Sequence, residues 1–376
     1  MATTLLFSAS DSPSTAESPG TDTFTALGGD VIETLAVTAS DSAYSVFASA
    51  GSGYMSYSDA ALASNEVLAA DGTVSLTAWS VLEKDGSAVQ VPASLTQLLN
   101  TAAGRQSTPM IQPPVFLSAR TTMYALVSGT AGDSYDSINL SSGAITDLFP
   151  VDFPTSEASS IFIPENMSPS GNLISFIAAN VTVDDTSVSG AAALSYDVTS
   201  GSLAFHDLPA SIADAIIPGG GSGWQPDFSL SQDADLLVSP EIGIYNVMTG
   251  QTAPIPGLCD WPSGSSSVYF SADETEVAVH CVSSTGEEST SEDEVAIART
   301  GTGALLASVS EPSPGLQDLI PVGWASDGDF YYDTGEASAS NPWTFISGFS
   351  GHSLDPATGA IHDYAASLGD LAAVLY

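Results

Sequence analysis

Cations are almost missing from this chain: 4 Lys and Arg stand against 44 Asp and Glu, a formal charge of -40 over 376 residues. Acidic residues are only about 12% of the sequence, so the imbalance comes from missing cations more than from added anions. Only Lys84, Arg105, Arg120 and Arg299 are present to neutralise phosphates, which excludes nucleic-acid binding. Anionic membrane surfaces are disfavoured for the same reason. Ion pairs hold almost nothing together, so burial and sheet hydrogen bonds must offset a self-repulsion that salt or divalent ions relieve. Few Lys and Arg also leave few sites for trypsin-like proteases, which suits an exposed extracellular life.

Other absences narrow the reading further. No apolar run approaches the roughly 18 residues of a membrane span, which predicts no membrane insertion. The start, MATTLLFSASDSPSTAESPG, has no basic region and too short an apolar run for a secretory signal. No GxSxG elbow, HExxH, P-loop or GxGxxG before a helix occurs. The four histidines, His206, His280, His352 and His362, form no local motif. His206 and His362 fall in matching phrases, FHDLP and IHDYA, which suggests a strand role with Asp207 and Asp363 beside them.

What the chain does have is a repeated phrase, clearest in YDVTSGSLAFHDLP from Tyr196. An alternating apolar run, a Ser/Thr/Asp-Gly turn and a second alternating run signal a β-hairpin with glycine at positive φ. The turn glycines of its six copies are Gly86, Gly143, Gly201, Gly250, Gly303 and Gly359, spaced 57, 58, 49, 53 and 56 residues apart. A second hairpin precedes each: TASDSAYSVFAS from Thr38, LSARTTMYALVS from Leu117, MSPSGNLISFIA from Met167, LSQDADLLVS from Leu230, FSADETEVAVHC from Phe270 and WASDGDFYYD from Trp324. Four strands per repeat, repeated radially, make an all-β propeller. The count predicts a single domain of six four-stranded blades. The long excursion Gly51 to Gly72 in the first repeat leaves room for an extra blade, making seven the alternative.

The pairing of SPSGNLISF with YDVTSGSL resembles the TolB-like β-propeller repeat, a relative of the WD-type repeat, over about Leu35 to Ala366. That resemblance implies a fold and little about function. Residues 1–24 read as an opening strand and a linker before a propeller domain at 25–376, with the opening strand and the terminal LAAVLY both available to close the ring by adding to the last blade. LTQLLNTAAGRQ, from Leu95, is the best helical candidate, and PGGGSG, from Pro218, a flexible connection. Gly286–Glu294 and the aromatic-bearing ASASNPWTFISGFSG read as loop inserts on a face of the disc.

Within the propeller reading, Cys259 enters the fifth repeat and Cys281 ends its second strand at the same face of the blade. A Cys259–Cys281 disulfide is then geometrically reasonable and implies an oxidising compartment; two buried free thiols are the alternative. Glu33, Glu165 with Asn166, Asp227, Asp260 and Asp318 lie just ahead of first strands, at the mouth of the central channel. Such an oxygen ring suits Ca2+, set against a merely solvated acidic mouth. Trp224, Trp261, Trp324 and Trp343 precede or interrupt strands; Trp224, Trp261 and Trp343 are the candidates for stacking on sugars or anchoring a partner, with burial in blade cores as the alternative. Asn139, Asn166 and Asn180 lie in N-x-S/T sequons.

The reading is an exported or surface-displayed, non-catalytic β-propeller: a binding or structural scaffold for protein or glycan partners, without a cofactor, in an extracellular, cell-surface or periplasmic setting. One alternative is a Ca2+-dependent hydrolase or lyase using channel carboxylates. The other is a subunit of a filament, coat or viral surface.

Overall fold

The structure is a computed structural model. It describes residues 4–10, 20–25, 31–37, 44–47, 60–68, 74–83, 88–93, 95, 110–118, 121–129, 132–151, 158–168, 170–182, 188–217, 228–256, 266–284, 291–312, 317–324, 327–338, 341–363 and 370–375.

The described strands form seven four-stranded antiparallel sheets. In the first, β1 (Thr4–Ser10), β2 (Gly20–Thr25) and β3 (Val31–Val37) are completed by the final strand, β28 (Asp370–Leu375), in the order β28-β1-β2-β3. The second is β4 (Tyr44–Phe47), β5 (Ala60–Leu68), β6 (Val74–Glu83) and β7 (Ala88–Gln90). The third is β8 (Met110–Ser118), β9 (Thr122–Gly129), β10 (Gly132–Asn139) and β11 (Ile145–Pro150). The fourth is β12 (Ala158–Met167), β13 (Leu173–Thr182), β14 (Val188–Asp197) and β15 (Ser202–Leu208). A short helix, α1 (Ala210–Ile216), leads to the fifth: β16 (Ser229–Leu230), β17 (Leu236–Ser239), β18 (Gly243–Asn246) and β19 (Gln251–Ala253). The sixth is β20 (Ser266–Phe270), β21 (Glu276–Ser284), β22 (Ser291–Arg299) and β23 (Leu305–Pro312). The seventh is β24 (Gln317–Trp324), β25 (Phe330–Ser338), β26 (Asn341–Leu354) and β27 (Ile361–Asp363).

Turn chemistry fixes the hairpins between third and fourth strands. Gly143, Gly201, Gly250, Gly303 and Gly359 all have φ between 67° and 75°, a left-handed conformation that costs glycine nothing. Each donates its N–H to the carbonyl four residues back, that of Asn139, Asp197, Asn246, Arg299 or Asp355, at 2.8 Å. Where that residue is Asn or Asp, its side chain also accepts turn N–H groups: Asp197 Oδ1 takes those of Thr199 and Ser200, at 2.8 and 3.2 Å. The preceding hairpins use serine instead. Ser168 Oγ accepts the N–H groups of Asn172 and Leu173, and Ser231 Oγ and Ser271 Oγ accept those of Leu236 and Glu276, at 2.8–3.1 Å. The left-handed residue in these turns is Gly171, Ala234 or Glu274.

The chain divides into two compact units. One comprises Met1–Asp152, Ala325–Asp327 and Ala365–Tyr376, and holds the first three sheets; the other comprises Phe153–Trp324 and Gly328–Tyr364, and holds the last four. Within the second unit, consecutive sheets pack face to face. Ile177, Ala179, Ala191 and Ala193 of the fourth sheet meet Phe228, Leu230 and Leu237 of the fifth, with Ala213 and Ile216 of α1 in the same core. Val238 and Ile244 of the fifth meet Val268, Phe270, Val277 and Val279 of the sixth. The sixth and seventh are joined by the Tyr269 and Phe330 rings, 5.6 Å apart, and by Trp324 Nε1 donating to the Tyr269 carbonyl at 2.8 Å.

Several expectations are corrected. The described residues form seven sheets, the number of the alternative reading, because the Gly51–Gly72 excursion supplies β5 and because both chain ends build a sheet of their own. β1 and the terminal LAAVLY therefore pair with each other and not with β24–β27. The hairpin expected at TASDSAYSVFAS does not hold for its described part, since β4 pairs forward with β5 and β3 pairs back with β2; the rest of that stretch lies outside the described residues. The aromatic insert after β25 is not a loop but β26, whose pairing with β25 has three register shifts. Glu292, Asp293 and Glu294 of the acidic insert likewise lie inside β22. Most of the Leu95–Thr108 helical candidate, and PGGGSG, lie outside the described residues.

Candidate functional site

The carboxylate candidates do not all occupy one kind of position. Glu33 falls within β3, the end strand of its sheet, and Asp318 is the second residue of β24. Asp227 and Asp260 lie outside the described residues. Glu165 and Asn166 sit inside β12, near its end, and not ahead of it. Among the described residues, no three of His, Cys, Asp and Glu gather to hold a metal.

Glu165 stands out because its surroundings do nothing for its charge. β12 pairs Pro164 with Phe176 and Asn166 with Ser175, so Glu165 is the extra residue of a β-bulge. Pro164 has no N–H to give the ladder, which favours the irregularity. The carboxyl is 2% exposed, and neither oxygen has a hydrogen-bond partner among the described residues. Burial pushes its pKa well above the usual carboxylate range. Ser175, fully buried opposite the bulge, also has a hydroxyl without a partner. Asn166 Oδ1 accepts the Met167 N–H at 2.9 Å. The equivalent bulge in β24, between Pro321 and Gly323, carries Val322. A carboxyl is therefore not what the repeat needs at this position.

A second constellation crosses the seventh sheet. His352 Nδ1 lies 2.9 Å from Asp363 Oδ1, and His352 Nε2 lies 3.1 Å from Thr334 Oγ1. The Tyr332 ring stacks on the imidazole at 5.2 Å. The atom order matches a hydroxyl, histidine and carboxylate relay, but the exposures run the wrong way for a nucleophile. Thr334 is 7% exposed, whereas the Asp363 side chain is 80% exposed. The arrangement ties three strands together. Sequence reading missed it because Thr334 and His352 are joined by a stretch read as a loop; the only signal was Asp363 in the repeated fourth-strand phrase.

Two further buried groups are perturbed. Burial pushes His280 down to about 4, and its Nε2 has no partner among the described residues. It is a mid-strand residue of β21, on the face that carries Tyr269 and Ala278. Burial pushes Glu274 up to about 7; the N–H of Gln232, which its carboxylate accepts, works against this, while Asp233, Asp235 and Asp273 add to it. Glu274 thus links the turns of the fifth and sixth sheets.

Of the tryptophans, Trp224 and Trp261 lie outside the described residues, and Trp343 is within β26. Trp324 is 1% exposed and so belongs to the core. Cys281 is buried inside β21, three residues short of its end at Ser284. Cys259 lies outside the described residues. No helix among the described residues is long and apolar enough to cross a membrane.

No sequence-family model and no curated protein matches the chain. Among solved structures it is similar to a prolyl endopeptidase, 14% identical over 95% of this chain, with TM-score 0.45; it spans only 50% of that protein's chain. It is similar to TolB from Acinetobacter baumannii, at 13% identity over 96% of this chain and 80% of that one, with TM-score 0.38. A third similarity is to a nidogen/laminin complex, at 9% identity over 100% and 98% of the two chains, with TM-score 0.35. These reach no further than a general β-propeller resemblance and single out no specific family. They include a peptidase beside TolB and nidogen, and so decide no function.

Proposed function

We propose that the chain is a single β-propeller of seven four-stranded blades, exported or surface-displayed, that acts as a non-catalytic scaffold for a protein partner. The face-to-face packing of consecutive sheets in the second unit supports the propeller, as does the pairing of the two chain ends in one sheet. The observation that carries the binding role is a repeated exposed apolar side chain on fourth strands. Ile145, Leu305 and Ile361 each follow a turn glycine by two residues and are 46–48% exposed; Phe205, four after Gly201, is 59% exposed. Single exposed apolar residues are ordinary, but recurrence at one place in the repeat is a regular surface feature. Fourth strands also end their sheets, leaving one row of backbone groups for a partner to pair with. The net charge of -40 favours a partner carrying positive charge.

The test is a quadruple variant, Ile145→Ser, Phe205→Ser, Leu305→Ser and Ile361→Ser, compared with the parent in crosslinking to its native extracellular fraction. Loss of the crosslinked partner with an unchanged unfolding midpoint is expected. Full retention of the partner would sink the reading. A Cys259–Cys281 disulfide belongs to the same proposal, and intact mass after alkylation without reductant checks it.

A Ca2+-dependent hydrolase is the second reading, and the buried Glu165 carboxyl is the observation favouring it. An esterase and lactonase screen with and without Ca2+ separates it from the scaffold.

A further inference from the structure

We infer that Asn139, alone among the three sequon asparagines, is the attachment site of an N-linked glycan on the folded chain. The inference rests on the exported reading, because a sequon is modified on chains that leave the cytosol.

Asn139 is half-buried at the end of β10, where it opens the tight turn to β11. Its Oδ1 accepts the N–H groups of Ser141 and Ser142, at 3.0 and 2.8 Å, and the Ser142 hydroxyl at 3.0 Å. Backbone donors converging on one atom identify it as the oxygen, since an amide nitrogen accepts nothing. The Nδ2 branch of the planar amide therefore faces away from the turn, and no bond of the turn uses it. Leu140, 3% exposed, donates its N–H to the Thr121 carbonyl at 2.6 Å, which pins the tip with Ser141 and Ser142 exposed. The other two sequons are held differently. Asn166 is 4% exposed inside β12, with its Oδ1 on the N–H of its own neighbour Met167. Asn180 lies in β13, a strand paired on both sides, opposite Ser160 and Gly190. A transferase reaches either only by drawing strand out of the sheet and breaking its hydrogen bonds.

The turn itself does not need the sequon serine. At their fourth place the five like turns carry Ser142, Ser200, Thr249, Thr302 and Thr358. In four of them this hydroxyl accepts the N–H two residues on, at 3.3–3.4 Å. At the third place they carry Ser141, Thr199, Met248, Gly301 and Ala357. The fold thus asks for a hydroxyl at the fourth place and leaves the third open, and the third is the one a sequon requires. In the transfer, Asn139 Nδ2 bonds C1 of a sugar carried on a lipid pyrophosphate. The bond from C1 to the phosphate oxygen breaks, its electron pair leaves with the lipid pyrophosphate, and one Nδ2 proton passes to the transferase's base.

The experiment offers the folded, unmodified full chain to a purified oligosaccharyltransferase with its lipid pyrophosphate-linked glycan, and reads intact mass and the modified peptide. A synthetic peptide of residues 136–144 is the acceptor standard. The variants are Asn139→Asp, Ser141→Ala and Ser141→Thr, each a residue that another copy of the turn already holds at that place, as Asp197, Ala357 and Thr199 do, so all should fold. Expected is a gain of one glycan, at Asn139, in the parent and Ser141→Thr, and none in Asn139→Asp or Ser141→Ala. A folded parent that takes no glycan while the peptide does overturns the site, and so does transfer to Asn166 or Asn180. Protein recovered from its own extracellular fraction should carry the glycan at Asn139. Recovered there bare, it overturns the inference and leaves the exported reading standing. Absence from that fraction sinks the exported reading instead, and the folded-chain assay then decides the site by itself.

Discussion

Gly303 and Gly359 hold the same place in the repeat, yet the same substitution at each is expected to cost different amounts. Both are left-handed, at φ of 69° and 70°, so alanine pays about 1–2 kcal/mol for that conformation at either site. Reduced freedom of the unfolded chain returns about 0.4–1 kcal/mol. For Gly359 nothing lies within 4 Å of the added Cβ, so Gly359→Ala should lose only about 1 kcal/mol. At Gly303 the Cβ would stand 2.2 Å from the Pro254 carbonyl oxygen and 3.1 Å from its carbon. These are backbone atoms just beyond β19 of the neighbouring sheet, so no rotamer change can clear them. Separating the two sheets locally adds an overpacking cost of about 1–3 kcal/mol, for a total of about 2–4. Gly201→Ala and Gly250→Ala, whose Cβ atoms would meet only tyrosine hydroxyls at 3.9 Å, should follow Gly359. Urea unfolding of the four variants and the parent measures the series. Equal losses at Gly303 and Gly359 would refute the claim that the fifth and sixth sheets are locked at this contact.

Two buried groups make opposite pH predictions, each read as the difference between variant and parent stability from pH 4 to 8. Glu274 is raised to about 7, so the stability tied to its neutral form is complete below 4.5 and lost as pH climbs through 7. Glu274→Gln, which keeps an acceptor for the Gln232 N–H, should remove that loss, up to about 3 kcal/mol before discounting the part of the side chain that reaches solvent. His280 is lowered to about 4, so its contribution is complete above 6.5 and lost as pH falls through 4. His280→Leu should abolish a loss of up to about 3 kcal/mol on the acid side, and an unchanged acid limb would count against a buried neutral imidazole.

Turn chemistry was the legible part of this fold. Gly143, Gly201, Gly250, Gly303 and Gly359 announce themselves because a left-handed residue must close each turn, whatever the strands around it contain. Thr38–Ser49 shows the limit of the same argument. It has the local look of a hairpin, but pairing is decided by which strand lies beside which, and β3 finds β2. The sheet made from both ends of the chain has no local signature at all, since its decisive contact joins Thr4 to Leu375. Glu165 could be picked out as a carboxylate; its burial, and the empty-handed Ser175 opposite, come from a bulge that only the register reveals. The Thr334, His352 and Asp363 relay was hidden for a related reason, because β26 is long and bulged where a loop insert was expected.

The chain ends also supply a test of how the first sheet is held. β28 covers one side of β1 through pairs that run from Thr4 with Leu375 to Ser8 with Asp370, while β2 covers the other. Removing β28 would leave β1, with Leu5, Leu6 and Phe7, as an open edge able to pair with another molecule. A protease site placed between β27 and β28 allows the intact chain to fold before it is cut. After cutting and release of the terminal peptide, the protein is expected to lower its unfolding midpoint and to associate in size-exclusion chromatography. Adding a synthetic peptide spanning residues 370–376 should reverse both changes, because it restores the missing ladder. A cut protein that stays monomeric at the parent's midpoint would mean that β28 contributes nothing the remaining three strands lack, and the closure of the chain ends would lose its place in the propeller argument.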